Sequence, residues 1–381
     1  MWSVTEKPFA QTMVRLAVAL VVAACLAACS DKPEPYEWNL PYNIPEPVVP
    51  ADNPMTQEKV ALGRALFYDT ALSVNAAQSC ASCHKQQFAF AEATRHSTGT
   101  TGDKVDRNAL ALVNVAYNGS LTWAHQGLDH IEQQLLIPLF NERPVELGVT
   151  GSESLILKRL SSPYYQSLFD EAFGDPKPTW DRIVKALASF VRSLVSFSSP
   201  FDHYAYGGQD DALSEQQIQG MNLFFSERME CFHCHGGVNF TQSSKHAYQQ
   251  LDLRPFHNTG LYNEDGKGAY PESDQGLYAV SFNKEDMGKF RAPTLRNIVV
   301  SAPYMHDGSV ATLAEVIDIY AAGGRGEGVT NPHKSPFIKG FNMTDEERGA
   351  LIAFLQSLTD QQFLHNPDFA SPEAKAFHQK D

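Results

Sequence analysis

The chain has 381 residues, of which 43% are hydrophobic and 19% charged, and its 44 acidic and 30 basic side chains give a net charge of −14. This length is sufficient for two domains of ordinary size, each with its own hydrophobic core. The acidic excess argues against nucleic acid as a partner, because the phosphate backbone would be repelled.

The N-terminus has the features of an export signal. Two basic residues precede an apolar run, Leu16 to Ala28, that is shorter than a typical transmembrane helix. The run leads into Leu26-Ala27-Ala28-Cys29, which resembles the lipobox of bacterial lipoproteins. We therefore expect residues 1–28 to be a lipoprotein signal peptide and Cys29 to be lipidated, on the periplasmic side of a bacterial membrane. An ordinary signal peptide and an uncleaved N-terminal anchor remain alternatives.

Residues 29–55 are predicted to be a tether between that anchor and the folded protein. Six prolines and few aliphatic side chains lie between Asp31 and Pro50, and this composition favours extended backbone. We expect the segment to be extended and mobile.

The rest of the chain has the periodicity of helices and little of the alternation that strands require. Capping residues precede three apolar runs, at Thr56, Ser214 and Thr344. A fourth run has apolar residues at helical spacing from Ile183 to Leu194 and is expected to stop at Pro200. These patterns predict a mainly α-helical protein, with long loops over residues 238–290 and 323–341.

Two copies of Cys-x-x-Cys-His occur, at residues 80–84 and 231–235. In each copy two thiols can bond the two vinyl groups of one haem, and the histidine can bind its iron. We therefore predict two covalently attached c-type haems, with these attachment residues: Cys80, Cys83 and His84 for the first, and Cys231, Cys234 and His235 for the second. A zinc site split over four cysteines and two thioredoxin-like pairs are alternatives, but neither gives the histidines a role. Since each half of the chain contains one motif, we expect residues 56–205 and 206–381 to form one haem domain each.

Further motifs make the chain similar to a known family. They are Arg107-Asn108, Asn114-Val115-Ala116-Tyr117-Asn118, Pro144-Val145-Glu146-Leu147-Gly148, Phe290-Arg291-Ala292-Pro293-Thr294-Leu295-Arg296-Asn297 and Ala302-Pro303-Tyr304-Met305-His306-Asp307-Gly308. With the haem motifs, they resemble the bacterial di-haem cytochrome c peroxidase and MauG family along nearly the whole mature chain. Residues 121–124 and 137–140 are most similar to the branch associated with methanobactin operons (MbnH type). The resemblance implies two cytochrome c-like domains with their haems near the domain interface.

For the first haem, held by His84, the resemblance implies reaction with peroxide. A distal histidine blocks this iron in the peroxidases of the family, and Thr100 matches its position. Because a threonine hydroxyl is a poor iron ligand, we expect a five-coordinate iron that is open to peroxide. His96, four residues earlier, remains an alternative ligand.

The same resemblance implies catalytic roles at the first haem for Gln134 and Glu146, and a packing role over the iron for Pro138. An open ferric haem needs a base that moves the peroxide proton to the leaving oxygen. Two extra residues precede Glu146, so Glu142 is a competing candidate for this base.

For the second haem, held by His235, the resemblance implies electron transfer and places the sixth iron ligand at Tyr320. A phenolate stabilises oxidised iron, whereas the methionine found in peroxidases favours the ferrous state. Tyr320 therefore indicates storage of oxidising equivalents. The alternative ligands are Met305, Met287 and His233.

Two further sites are implied by the resemblance. Trp123 matches the tryptophan between the two haems, where an indole can share an electron hole. Asn108, Ser301 and Pro303 match the residues that hold a calcium ion between the domains, the latter two through backbone oxygens, and oxygen ligands of this kind suit calcium.

The function implied is an oxidoreductase that uses hydrogen peroxide to form a high-valent di-haem state and then oxidises a partner protein. In the MbnH-type enzymes the oxidised group is a tryptophan of the partner, which becomes kynurenine. One alternative is a cytochrome c peroxidase that detoxifies peroxide with electrons from a small cytochrome or copper protein. Another is a tethered di-haem electron carrier.

Overall fold

The computed structural model describes residues 34–251 and 253–372, which excludes the predicted signal peptide and Cys29. The described part is mainly helical, as predicted, and contains isolated β-bridges but no β-strand. Its α-helices in chain order are α1 (Gln57–Tyr68), α2 (Cys80–Cys83), α3 (Ile131–Phe140), α4 (Glu153–Arg159), α5 (Pro163–Phe173), α6 (Trp180–Ser193), α7 (Pro200–Ala205), α8 (Glu215–Phe224), α9 (Phe232–His235), α10 (Tyr278–Ser281), α11 (Leu313–Ala321), α12 (Asp345–Gln356) and α13 (Gln361–Leu364). None of the helices in the described ranges has the length and apolar character needed to cross a membrane.

The first domain is built on the crossing of α1 and α6. Thr56 caps α1 as predicted, because its hydroxyl oxygen accepts a hydrogen bond from the backbone nitrogen of Lys59 at 3.2 Å. The two helices are in close contact at Gly63, where an added Cβ would lie 1.9 Å from the backbone oxygen of Ala186 and 2.9 Å from Cβ of Phe190. Only glycine fits this crossing.

The second domain repeats that crossing with α8 and α12. A Cβ at Gly220 would lie 1.9 Å from the backbone oxygen of Ala350 and 2.9 Å from Cβ of Phe354. The predicted capping boxes begin both helices, at Ser214 and Thr344. The same contact, made by the same residue types, supports an internal repeat of one helical unit in the two halves of the chain.

Pro200 has a different role from the one predicted. Helix α6 ends at Ser193, and Pro200 is instead the first residue of α7. A proline is tolerated there because the first helical residues have no intrahelical partner for their N–H groups. Phe201, also in α7, packs into the core of the second domain. The chain therefore passes from the first core to the second between α6 and α7.

The segment from residue 34 to residue 55 is extended, but it packs against the folded protein. Ile44 is buried, and the Tyr117 hydroxyl donates to the backbone oxygen of Pro45 at 2.9 Å. The backbone nitrogen of Ala247 donates to the backbone oxygen of Glu46 at 3.0 Å. This part of the predicted tether therefore differs from a mobile linker, because burial of an apolar side chain and two hydrogen bonds hold it in place.

The end of the described chain returns to the first domain. Phe363 and Leu364 of α13 belong to the core of the first domain, and Arg64 donates to the backbone oxygen of Ala370 at 2.6 Å. Residues 361–372 thus cover the first domain although they follow the second in sequence.

Candidate functional site

The first Cys-x-x-Cys-His motif forms the short helix α2 and the residue after it. The Ser82 hydroxyl oxygen accepts from the backbone nitrogen of Ser79 at 3.0 Å and holds the start of this turn. His84 Nδ1 lies 2.7 Å from the backbone oxygen of Phe90. Because a carbonyl can only accept, Nδ1 is the protonated nitrogen and Nε2 is the one able to bind iron.

The second motif repeats this arrangement around α9. Nδ1 of His235 lies 3.1 Å from the backbone oxygen of Pro293 and 3.3 Å from that of Phe240. Burial lowers the pKa of His235 to about 4, so its imidazole is neutral at physiological pH, the form that binds a metal. In both histidines the ring is therefore neutral, with the proton on Nδ1 and Nε2 free, as an axial haem ligand requires.

The cysteines are placed for haem attachment rather than for zinc. No disulfide joins Cys80, Cys83, Cys231 or Cys234 in the described part of the chain. Within the described ranges, the metal-binding residue types come close enough to share one ion only at Glu227, Glu230 and His233, and no cysteine takes part. A zinc site built from the four cysteines is therefore wrong.

The first cavity has a volume of about 430 Å³, within the range of cofactor sites, and it is lined by the first haem motif. Gln134 and Pro138 also line it, one turn apart on α3, and Glu146 reaches it from the following loop. Oε1 of Gln134 is buried and has no hydrogen-bond partner among the described residues. An unpaired buried acceptor is expected where a bound group completes the hydrogen bonds, so the cavity fits a haem and its small ligand.

The two candidate bases differ in burial and in position. Glu146 lines the first cavity, and burial raises the pKa of its carboxyl group. Glu142 is exposed to solvent and does not line the cavity. The structure therefore places Glu146, and not Glu142, beside the first haem motif.

Neither candidate for a ligand on the open side of the first haem lines the first cavity. His96 Nδ1 lies 2.9 Å from the backbone oxygen of Val105, a contact that holds the ring in its loop. The lining near this loop comes from Ser97, Thr98 and Gly99 and does not include His96 or Thr100. Neither His96 nor Thr100 is therefore part of the cavity wall, and a five-coordinate first iron stays a prediction.

The second cavity has a volume of about 320 Å³ and is lined by the second haem motif, Tyr320 and Met305. Tyr320 comes from α11, and burial raises the pKa of its phenol. Of the other candidate ligands, Met287 does not line this cavity. His233 is held away by Glu230, with Nε2 2.8 Å from a carboxylate oxygen. The candidates for the sixth iron ligand are thereby reduced to Tyr320 and Met305.

Trp123 lines both cavities. Its indole nitrogen donates to the backbone oxygen of Asn108 at 2.8 Å, and its own backbone oxygen accepts from the nitrogen of Arg291 at 2.7 Å. The indole is therefore fixed in the wall that separates the two cavities.

The three predicted calcium ligands line the same cavity. Asn108, Ser301 and Pro303 all line the second cavity. The side-chain nitrogen of Asn108 donates to the backbone oxygen of Thr94 at 3.0 Å, which fixes the orientation of the amide. Amide and carbonyl oxygens suit calcium, and its binding by these three residues stays a prediction.

Several contacts at this interface were not predicted from the sequence. Arg107 makes a bidentate ion pair with Asp274, with both distances 2.7 Å, and so links the two domains. His306 stacks on Phe290 with ring centroids 3.7 Å apart. Arg291 lines the second cavity. Arg107 and Arg291 lie within motifs quoted above, whereas nothing in the sequence singles out Asp274.

Comparisons with known proteins agree with this geometry. Residues 57–211 match the protein family described as "Di-haem cytochrome c peroxidase". The chain is 34% identical to cytochrome-c peroxidase IdrP1 of Denitromonas iodatirespirans, over 93% of this chain and 94% of that protein. It is 32% identical to methylamine utilization protein MauG of Methylorubrum extorquens, over 92% of this chain and 93% of that protein.

Solved structures show the same fold. A crystal structure of a MauG-like protein associated with microbial copper homeostasis is 44% identical, with a TM-score of 0.86 that covers 88% of this chain and 99% of the other. The di-haem peroxidase BthA of Burkholderia thailandensis, at 21% identity and a TM-score of 0.64, shares the fold over 90% of this chain and 97% of the other.

Proposed function

The chain belongs to the di-haem cytochrome c peroxidase and MauG family, and we propose that it uses hydrogen peroxide to oxidise a partner protein. As in the family, it is an oxidoreductase with two haem c groups. The proposal concerns the division of work between the two cavities and the nature of the substrate.

The haems, when bound, supply the redox chemistry by accepting two oxidising equivalents from hydrogen peroxide. His84 and His235 would hold the two irons through Nε2, because Nδ1 of each ring donates to a backbone oxygen. The residues around each iron then determine what each haem does.

Peroxide reacts at the first cavity. Glu146 takes the proton from the incoming peroxide and returns it to the leaving oxygen, and Gln134 orients the bound molecule. The support for these roles is that both side chains line the first cavity and that Glu146 is half-buried there. A raised pKa lies closer to pH 7, which suits a carboxyl group that must both accept and donate a proton.

Oxidising equivalents are stored at the second cavity. Tyr320 would hold the second iron as a phenolate, and the indole of Trp123, in the shared wall, would couple the two haems. The asymmetry of the cavities carries this proposal, since Glu146 lines only the first and Tyr320 only the second, while Trp123 lines both.

The partner is a secreted or periplasmic protein with an oxidisable aromatic side chain, such as tryptophan. The likeness to a protein associated with microbial copper homeostasis supports testing copper-handling proteins first. We further propose that calcium is bound by Asn108, Ser301 and Pro303, and that the chain is anchored on the periplasmic side through a lipid on Cys29.

The fate of one equivalent of peroxide added to the holoprotein tests the function. Without a donor, the oxidised protein should be long-lived, and it should decay when the partner is added, with an oxygenated partner peptide seen by mass spectrometry. Rapid turnover with a reduced small cytochrome would instead support the detoxifying peroxidase, for which Met305 in the second cavity provides a suitable iron ligand. If the holoprotein does not react with peroxide, an electron carrier is the remaining function.

A further inference from the structure

Three arginines of the described residues are almost fully buried, and two of them face carboxylates. Arg296 makes two hydrogen bonds of 2.9 Å to Asp202, and Arg192 lies 2.8 Å from a carboxylate oxygen of Glu132. Arg291 is equally buried, with 3% of its surface exposed, and no carboxylate among the described residues lies within ion-pairing distance.

The hydrogen bonds of Arg291 do not balance its charge. Its Nε donates to the backbone oxygen of Thr122 at 3.0 Å, and its Nη1 has only a long contact of 3.5 Å to that of Ala292. Burial lowers the pKa of Arg291 to about 10, so the guanidinium stays charged at neutral pH. A buried cation without an anion is strongly unfavourable, and this one therefore calls for an anionic partner.

The surroundings of Arg291 identify that partner. Arg291 lines the second cavity, together with Cys231, Cys234 and His235. The other arginine and lysine in that wall already face acidic side chains: Arg228 pairs with Glu347, and Lys339 lies 3.2 Å from Glu230.

In the first cavity the lining arginine is also committed, since Arg107 pairs with Asp274. A haem c carries two propionate carboxylates, and planar guanidinium groups pair well with carboxylates.

We propose that Arg291 binds a propionate of the second haem and ties that propionate to Trp123. Arg291 is directly hydrogen-bonded to the segment that carries the indole. Its backbone nitrogen donates to the backbone oxygen of Trp123 at 2.7 Å, and its side chain donates to the backbone oxygen of the adjacent Thr122. Arg291 is a positioning residue: it sets the place of the second haem relative to the indole and, through its charge, the reduction potential of that haem. This inference depends on the presence of two haems and not on the proposed reaction.

A redox titration of the holoprotein, monitored by EPR in the absence of peroxide, tests the proposal. Arg291→Gln should lower the midpoint potential of the second haem, because a positive charge near the propionate favours the reduced iron, and should leave the first haem unchanged. Arg228→Gln is the matched control, since it removes the same charge from the same wall where Glu347 is its partner. Unchanged potentials in Arg291→Gln, or an equal shift in both variants, would overturn the proposal.

Arg291→Lys keeps the test decisive if Arg291→Gln does not fold. Lysine retains the charge but loses the planar fork, so the potential of the second haem should stay near that of the wild type while the propionate bending band of one haem shifts in the resonance Raman spectrum. A propionate spectrum identical to that of the wild type contradicts the contact. Because no peroxide or partner is used, failure of the proposed reaction would not alter either result.

Discussion

The indole nitrogen of Trp123 donates a hydrogen bond to the backbone oxygen of Asn108, 2.8 Å away, in the wall shared by the two cavities. Asn108 is also a proposed calcium ligand. The residue proposed to couple the haems is therefore held by a residue proposed to hold the ion between the domains.

Replacement of Trp123 by phenylalanine should separate the two haems electronically. We expect Trp123→Phe to retain both haems and to react with peroxide at nearly the wild-type rate, but to lose the long-lived oxidised form. Stopped-flow spectra in the near infrared measure its lifetime. Trp180→Phe is the control, because Trp180 packs against Phe140 and lines neither cavity. An unchanged lifetime in Trp123→Phe would exclude the coupling role.

Loss of the carboxylate in the first cavity should slow the reaction with peroxide. Glu146→Gln removes the proposed proton carrier and should reduce the rate by roughly 10²–10⁴-fold, the usual contribution of one general acid–base group. Haem content should not change. Glu142→Gln is the matched control, because Glu142 is exposed, and it should react like the wild type. The reverse pattern in stopped-flow mixing would transfer the role to Glu142.

The oxidised protein as isolated should contain one high-spin and one low-spin haem. We expect only the first iron to lack a sixth ligand from the chain, since neither His96 nor Thr100 lines its cavity. Low-temperature EPR distinguishes the two spin states. Two low-spin signals in the wild type, one of which disappears in His96→Ala, would show that His96 binds the first iron.

Substitution of Tyr320 should change the second haem alone. Tyr320→Met replaces an anionic donor by a thioether and should raise the reduction potential of that haem, while Tyr320→Phe leaves an empty or water-filled position. Both variants should lose the long-lived oxidised form. Met305→Leu is the control, because Met305 lines the same cavity. If Met305→Leu changes the potential and Tyr320→Met does not, methionine is the ligand.

The helix crossing of the first domain should not tolerate a side chain. Gly63→Ala puts a methyl group 1.9 Å from a backbone oxygen and should lower the free energy of unfolding by about 3 kcal/mol. In Gly349→Ala, within α12, the new methyl group meets only the end of the Gln216 side chain at 3.4 Å. This substitution should raise the free energy of unfolding by about 1 kcal/mol. Denaturant titration of the holoproteins compares the two. Equal stability of both variants would contradict the crossing geometry.

Local features of this fold follow from the sequence, and contacts between distant segments do not. The capping residues Thr56, Ser214 and Thr344 begin helices as predicted, because a cap depends on residues three positions away. By contrast, the packing of Phe363 on the first domain joins segments far apart in sequence, and no local pattern indicates it.

The candidate site shows the same division. The haem motifs identify His84 and His235, whereas the choice between Glu142 and Glu146 depends on the path of one loop. The sequence also cannot show that Arg291 has no carboxylate nearby among the described residues, because this depends on how distant segments pack.

The packed segment at residues 34–55 limits how far the protein could move from a membrane. The backbone nitrogen of Glu34 donates to a carboxylate oxygen of Glu58 at 3.0 Å, so the chain is attached to the body of the protein from that point onward. With a lipid on Cys29, only the residues between Cys29 and Glu34 would span the gap, and their full extension is about 17 Å. A free tether over residues 29–55 would reach about 90 Å. The body of the protein would therefore stay beside the bilayer in a restricted orientation, and a partner would have to approach it at the membrane surface.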